Sequence, residues 1–213
     1  MFEKVLLLFS CTFVLSGCVF TDEPMPRITH IYSSELVEPL PLPPKPTRIA
    51  YGNIPRSWIP AFEIEKKWTA IIIHHSNTKN GNATIFDNYH RKHMHWEGIG
   101  YDFVIGNGTD SGDGQVEVTY RWREQKTGAH CGGTAGNWAN KEGIGICLVG
   151  NFNTTVPTRR QMQSLVKLVR FLQSRYGIRK SRIYGHGSTP GTHITDCPGR
   201  NFSLARLKSM LDY

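Results

Sequence analysis

Nine histidines and five cysteines are the side chains of this 213-residue chain with the most chemistry to offer, and they are unevenly placed. His90, His93 and His95 crowd into one polar stretch, whereas His74 with His75, His130 and His186 each stand beside a short apolar run of the kind that makes a strand. His193 lies in the Gly/Thr-rich loop 187–196, and that loop leads to Cys197, eleven residues beyond His186. The ends of central strands are where an open sheet gathers its ligands. His74 and His186, each following an apolar run, could therefore converge on one point, with Cys197 delivered by the loop. Two imidazoles and one thiolate suit Zn²⁺ and leave a fourth tetrahedral position for water, as catalytic zinc sites require; a structural site closes with a fourth protein ligand. Neighbouring strand residues face opposite ways, so only one of His74 and His75 can serve.

Holding such a set together needs a sheet. Residues 70–73, Ala-Ile-Ile-Ile, predict a buried central strand ending at His74, and further strands are predicted over 101–105, 116–121, 144–149 and 182–184. Thr158 and Gln161 spell a capping box, the apolar residues Met162, Leu165, Val166, Val169, Leu172 and Tyr176 recur at helical spacing, and Gly177 is a stop signal. A second helix is expected from Thr84, as N-cap, to about His95, a third over 203–211, and a hairpin over the glycine-rich stretch 106–114. These elements imply an α/β fold, a single domain with a mixed central β-sheet flanked by helices. A composition of 39% hydrophobic and 20% charged residues describes a globular chain and excludes wholesale disorder, collagen and coiled coil.

The words around these residues carry more than their spacing. Ala70-Ile71-Ile72-Ile73-His74-His75-Ser76-Asn77-Thr78, Ile99-Gly100-Tyr101-Asp102-Phe103-Val104-Ile105, Gly128-Ala129-His130, Gly143-Ile144-Gly145-Ile146-Cys147-Leu148-Val149-Gly150-Asn151-Phe152, and Gly185-His186 through Thr195-Asp196-Cys197-Pro198-Gly199 stand in that order. In that order the run resembles the successive motifs of the zinc-dependent N-acetylmuramoyl-L-alanine amidases, the family of the T7-type phage lysozyme and the peptidoglycan recognition proteins. The resemblance spans about residues 54–213. It implies zinc held by His74, His186 and Cys197 in a groove at the strand ends, and leaves His75 to packing or a hydrogen bond beneath the site. It puts Tyr101 in the family's active-site tyrosine position, and Thr195 where the phage type has lysine and the recognition proteins have threonine. His130 and Trp96 fall on its substrate groove, Trp96 as half of a Gly-Trp pair that here reads His95-Trp96. Another branch has aspartate for Cys197 and glutamate for Cys147, so a glutamate general base is not carried over. The implied activity is hydrolysis of the amide between N-acetylmuramic acid and L-alanine in peptidoglycan, with Tyr101 and Thr195 at the developing oxyanion and Tyr101 the candidate proton donor. The competing implication is a module that recognises peptidoglycan without cutting it; such members typically lack the cysteine that is present here.

Ahead of the domain, Lys4 is followed by an apolar run over 5–15, too short to span a bilayer, and then by Leu15-Ser16-Gly17-Cys18. That word resembles the bacterial lipobox, which makes 1–17 a lipoprotein signal peptide and Cys18 the lipidated residue. Residues 18–50 hold seven of the twelve prolines and read as an extended tether, and 51–213 form the amidase domain. Residues 1–50 carry a net −1, so the domain carries +9 of the chain's +8, a surplus suited to anionic wall polymer. Nucleic acid is not an expected partner, since the chain reads as exported and has no motif for it. The expected partners are peptidoglycan and, through the lipid anchor, a membrane facing the periplasm, the outer membrane favoured over the inner. A Cys131–Cys147 disulfide stays open. Cys18→Ser is expected to release the protein from the membrane fraction while leaving its specific activity intact; a variant that stays membrane-bound through a salt wash would refute the anchor.

Overall fold

The β-branched run around Ile71 and Ile73 forms an interior strand of a five-stranded sheet. The computed structural model describes residues 54–212; the signal segment, Cys18 and the tether lie outside the described residues. In chain order the elements are β1 (Ala70–His75), α1 (Ala83–His93), β2 (Phe103–Ile105), β3 (Val116–Val118), α2 (Tyr120–Arg123), α3 (Trp138–Glu142), β4 (Gly143–Leu148), α4 (Arg159–Tyr176), β5 (Ile183–Gly185) and α5 (Leu204–Ser209). The sheet order is β3-β2-β4-β1-β5, with every pair parallel except the β2–β3 hairpin at one edge. The sheet is therefore mixed, as expected.

Strand alternation sorts the core. Ile71 and Ile73 of β1, with Ile144, Ile146 and Leu148 of β4, pack with Leu165, Leu168, Val169 and Leu172 of α4. The opposite face carries Ile72 against Cys131 and Ala139, and Cys147 with Val104 against Phe86 of α1. Cys131 and Cys147 are thus buried in separate clusters, and both are free thiols. The long helix is built as its sequence implies: Thr158 Oγ1 accepts from Gln161 N (3.0 Å), Gln161 Oε1 accepts from Thr158 N (3.1 Å), and Gly177 closes the helix at φ 68°.

Among the boundaries that differ from the sequence reading, three bear on the core and the site. The strand predicted over 116–121 stops at Val118, because the Thr119 hydroxyl accepts the Arg121 N–H and caps a short helix, α2. That turn delivers Trp122 to the core, where it stacks on Trp68 and its indole N–H donates to the Trp58 carbonyl (3.0 Å). Helix α1 starts two residues early, since Asn82 rather than Thr84 caps it, accepting from Ile85 N (2.8 Å). Tyr101 lies just outside β2, which begins at Phe103, although Asp102 N still donates to the Gly145 carbonyl (2.9 Å). Trp122→Ala is expected to destabilise the domain by roughly 3–5 kcal/mol, the scale for emptying a buried aromatic site. Thermal melts should show this as a lowered Tm, at roughly 2–4 °C per kcal/mol for a domain of this size, with Trp122→Phe far milder.

Candidate metal centre and groove

The last two residues of β1 point to opposite faces. His75 is taken up on the α4 side, where its Nδ1 accepts from Phe152 N (3.1 Å) and its ring lies 5.8 Å from the Phe152 ring. His74, 1% exposed, turns to the other side and meets His186, which follows β5, at a ring separation of 4.6 Å. Cys197 arrives on the loop from His186, its Sγ 3.6 Å from His74 Nδ1 and accepting the His75 backbone N–H at 3.4 Å. One donor atom from each of His74, His186 and Cys197 lies within 4.8 Å of the others. The loop closes on itself tightly: Gly187 N donates to the Cys197 carbonyl (2.7 Å), and a Cβ at Gly187 would strike the Thr195 carbonyl.

Burial makes these donors neutral. It pulls His186 down to about 4, with His193 adding to the effect, and pushes the Cys197 thiol up to about 12 against the opposing pull of the His75 N–H. His74 is lowered well below the usual imidazole range by burial and then by His130 and His186. Neutral imidazoles present lone pairs, and a thiol held protonated by burial becomes a thiolate only when a cation is set against it. Converging, mostly buried N, N and S donors therefore fit a soft or borderline divalent metal such as zinc.

The remaining sequence-predicted residues surround this set at graded distances. The Tyr101 ring lies 5.2 Å from that of His74, and burial, then Cys147 and Cys197, holds its hydroxyl well above the ordinary tyrosine range. Thr195 Oγ1 accepts the Cys197 N–H at 3.2 Å, so its hydroxyl stands beside the thiol-bearing backbone. Trp96 is farther out, 37% exposed, with its ring 4.8 Å from His90, whose ring is in turn 5.8 Å from Tyr101. His130, expected along the substrate groove, is only 7% exposed and sits behind His74, its Nδ1 3.1 Å from His74 Nε2 and its Nε2 3.2 Å from the Gly143 carbonyl. Tyr101 also floors a groove of about 350 Å³ running between the loop after β1 and α1, lined by Ser76, Asn77, Asn80, Ile85 and Tyr89. A larger hollow, about 610 Å³, lies around Asp87, Arg91, Glu117, Tyr120 and Lys126; neither hollow is lined by His74, His186 or Cys197, and only the smaller reaches Tyr101.

Two residues beneath the site were not singled out by sequence reasoning. Asn140 Oδ1 accepts the backbone N–H groups of His130 and Cys131 (2.8 and 2.9 Å). Asp102 is fully buried; Oδ2 accepts the Gly145 N–H (2.8 Å), and Oδ1 has no partner. The signal for Asp102 was there, a carboxylate standing inside the apolar word Tyr101-Asp102-Phe103-Val104.

The family model described as N-acetylmuramoyl-L-alanine amidase matches residues 65–200. Peptidoglycan-recognition protein SC2 of Drosophila melanogaster is 36% identical over 139 residues, which are 61% of this chain and 67% of that protein. The N-acetylmuramoyl-L-alanine amidase of Homo sapiens is 30% identical over 120 residues, 55% of this chain but 18% of that longer protein. Among solved structures, the N-acetylmuramoyl-L-alanine amidase LysC from Clostridium intestinale superimposes with a TM-score of 0.57 at 31% identity, covering 68% of this chain and 85% of its own.

Burial pushes the Asp102 carboxyl up to about 7, against the opposing hydrogen bond from Gly145 and the charges of Lys66 and Arg121. The unfolded chain releases this proton near pH 4. Stability contributed by the protonated side chain is therefore full below that value and is lost as pH rises from about 4 to about 7. Asp102→Asn, which keeps an oxygen for Gly145 and carries no charge, is expected to gain in Tm relative to wild type on going from pH 5 to pH 8. An unchanged difference across that range would contradict a protonated Asp102.

Proposed function

Because this chain belongs to the N-acetylmuramoyl-L-alanine amidase family, we propose that it is an exported zinc amidase, anchored through a lipidated Cys18, that hydrolyses the amide between N-acetylmuramic acid and L-alanine in peptidoglycan. The observation that carries this reading is the convergence of His74, His186 and Cys197 beside Tyr101. His74, His186 and Cys197 would hold the metal; zinc, when bound, supplies Lewis acidity and an activated water. The groove floored by Tyr101 takes the substrate, with the exposed face of Tyr89 offering stacking surface at its rim and that of Trp96 standing beyond His90. Tyr101 keeps its proton at neutral pH, which suits it to hydrogen-bond the oxyanion and to hand a proton to the departing amine of L-alanine. Thr195 accepts the Cys197 N–H and retains its own O–H for the substrate side of the loop. The +9 domain favours encounter with anionic wall polymer.

A non-cutting recognition module is the second reading, favoured by the names of several relatives. The two separate at Cys197. Cys197→Ser is expected to lose most zinc binding and all amide cleavage, while affinity for sacculi stays within a few-fold of wild type. Tyr101→Phe should keep its zinc and lose roughly 10²-fold in turnover, the usual scale for one positioned donor. Metal content, sacculus pull-down and release of new L-alanine amino termini read out each variant. Wild-type protein that binds sacculi but releases no such termini, with zinc supplied, would replace the amidase reading with the recognition module.

A further inference from the structure

We propose that His130 is a positioning residue for the metal centre: by accepting the Nε2–H of His74 it fixes that ring in the tautomer whose Nδ1 lone pair faces the metal. The proposal rests on the metal reading of His74 given above. It starts from the Gly143 carbonyl, which can only accept a hydrogen bond and lies 3.2 Å from His130 Nε2. His130 Nε2 must therefore carry a proton. His130 is 7% exposed, and none of its hydrogen-bond partners is a carboxylate, so a second proton on its ring would be a buried, unpaired cation. Its Nδ1 is consequently an acceptor, and the only proton available across the 3.1 Å gap to His74 is the one on His74 Nε2. An uncharged His74 protonated at Nε2 has its lone pair on Nδ1, and Nδ1 is the nitrogen that lies 3.6 Å from Cys197 Sγ. The chain of hydrogen bonds from a main-chain carbonyl through two imidazoles thus selects one of two tautomers, and the other would point an N–H at the metal position.

The mounting of His130 is as constrained as its hydrogen bonds. Its backbone N–H is held by Asn140 Oδ1, and its ring lies flat over Gly145, where a Cβ would come within 2.5 Å of Cδ2. Gly145 is itself pinned through its N–H by buried Asp102. The glycine in the middle of an otherwise apolar strand word is therefore the space that the imidazole occupies. Partners of this kind, behind a ligating histidine, typically change metal affinity by roughly 10–100-fold when removed.

The full-length protein supplies the test. Zinc affinity by chelator competition is expected to fall roughly 10–100-fold in His130→Ala. His130→Asn, whose Oδ1 takes the place of Nδ1 as acceptor, should recover most of that loss. Gly145→Ala, which removes no hydrogen-bonding side chain but displaces the His130 ring, should weaken zinc binding as His130→Ala does. Far-UV circular dichroism of the metal-free variants identifies any that fail to fold. The wild-type protein decides independently of them: long-range ¹H–¹⁵N spectra without metal are expected to show both His74 and His130 protonated at Nε2. A His74 protonated at Nδ1, or a folded His130→Ala protein that binds zinc as tightly as wild type, overturns the positioning role while leaving the metal site standing. Wild-type protein that takes up no zinc would instead bring down the metal reading itself.

Discussion

The two-residue period of β1 is the constraint from which the site follows. Ile71 and Ile73 must enter the core beneath α4, so His75 goes the same way and His74 is forced to the opposite face. A slip of one residue would exchange the two histidines and turn the isoleucines away from their core, so the apolar packing that stabilises the strand also sets the direction of the ligand. Pairing on both sides locks the register: Ile73 lies opposite Ile146 of β4 and Gly185 of β5, and His186 leaves β5 beside His74. The hydrophobic core and the candidate metal centre are two faces of one strand.

Polar groups are buried around this centre, and their satisfaction is organised by main chain rather than by opposing charge. Cys197 Sγ receives the His75 N–H, Asn140 receives two backbone N–H groups, and His130 reaches a backbone carbonyl. Such an arrangement keeps the site uncharged until a cation enters, which lets it sit at the end of β1, a strand buried along its whole length, without an ion pair to desolvate. Asp102 is the exception, with one oxygen bonded to Gly145 and the other without a partner, and its raised pKa is the consequence of that burial.

The hollows on the two sides of α1 differ in what they can do. The larger is lined by salt-bridged pairs, Arg91 with Asp87 and Lys126 with Glu97, whose charges already answer one another. The smaller is floored by Tyr101, whose ring lies 5.2 Å from that of His74, and rimmed by Asn77, Asn80 and Tyr89, groups with polar and aromatic faces.

The α/β class, the mixed sheet, the long α4 with both of its caps, and the three residues that converge as candidate metal donors were all legible in the amino-acid sequence, because each depends on local period, capping chemistry or a contiguous motif. Where Thr119 diverts the chain into α2, the sequence misleads, since Val116 to Val118 alternates correctly and the cap competes only once Arg121 has a buried carbonyl, that of Ile99, to reach. The place of His130 was decided by tertiary structure alone. Its Gly-Ala-His word is silent about which way the ring turns, and only the approach of β4, with Gly143 offering a carbonyl and Gly145 offering space, draws it behind His74. Sequence determines which side chains are available and on which face of a strand they stand; which of them touch is fixed by packing between segments far apart in the chain.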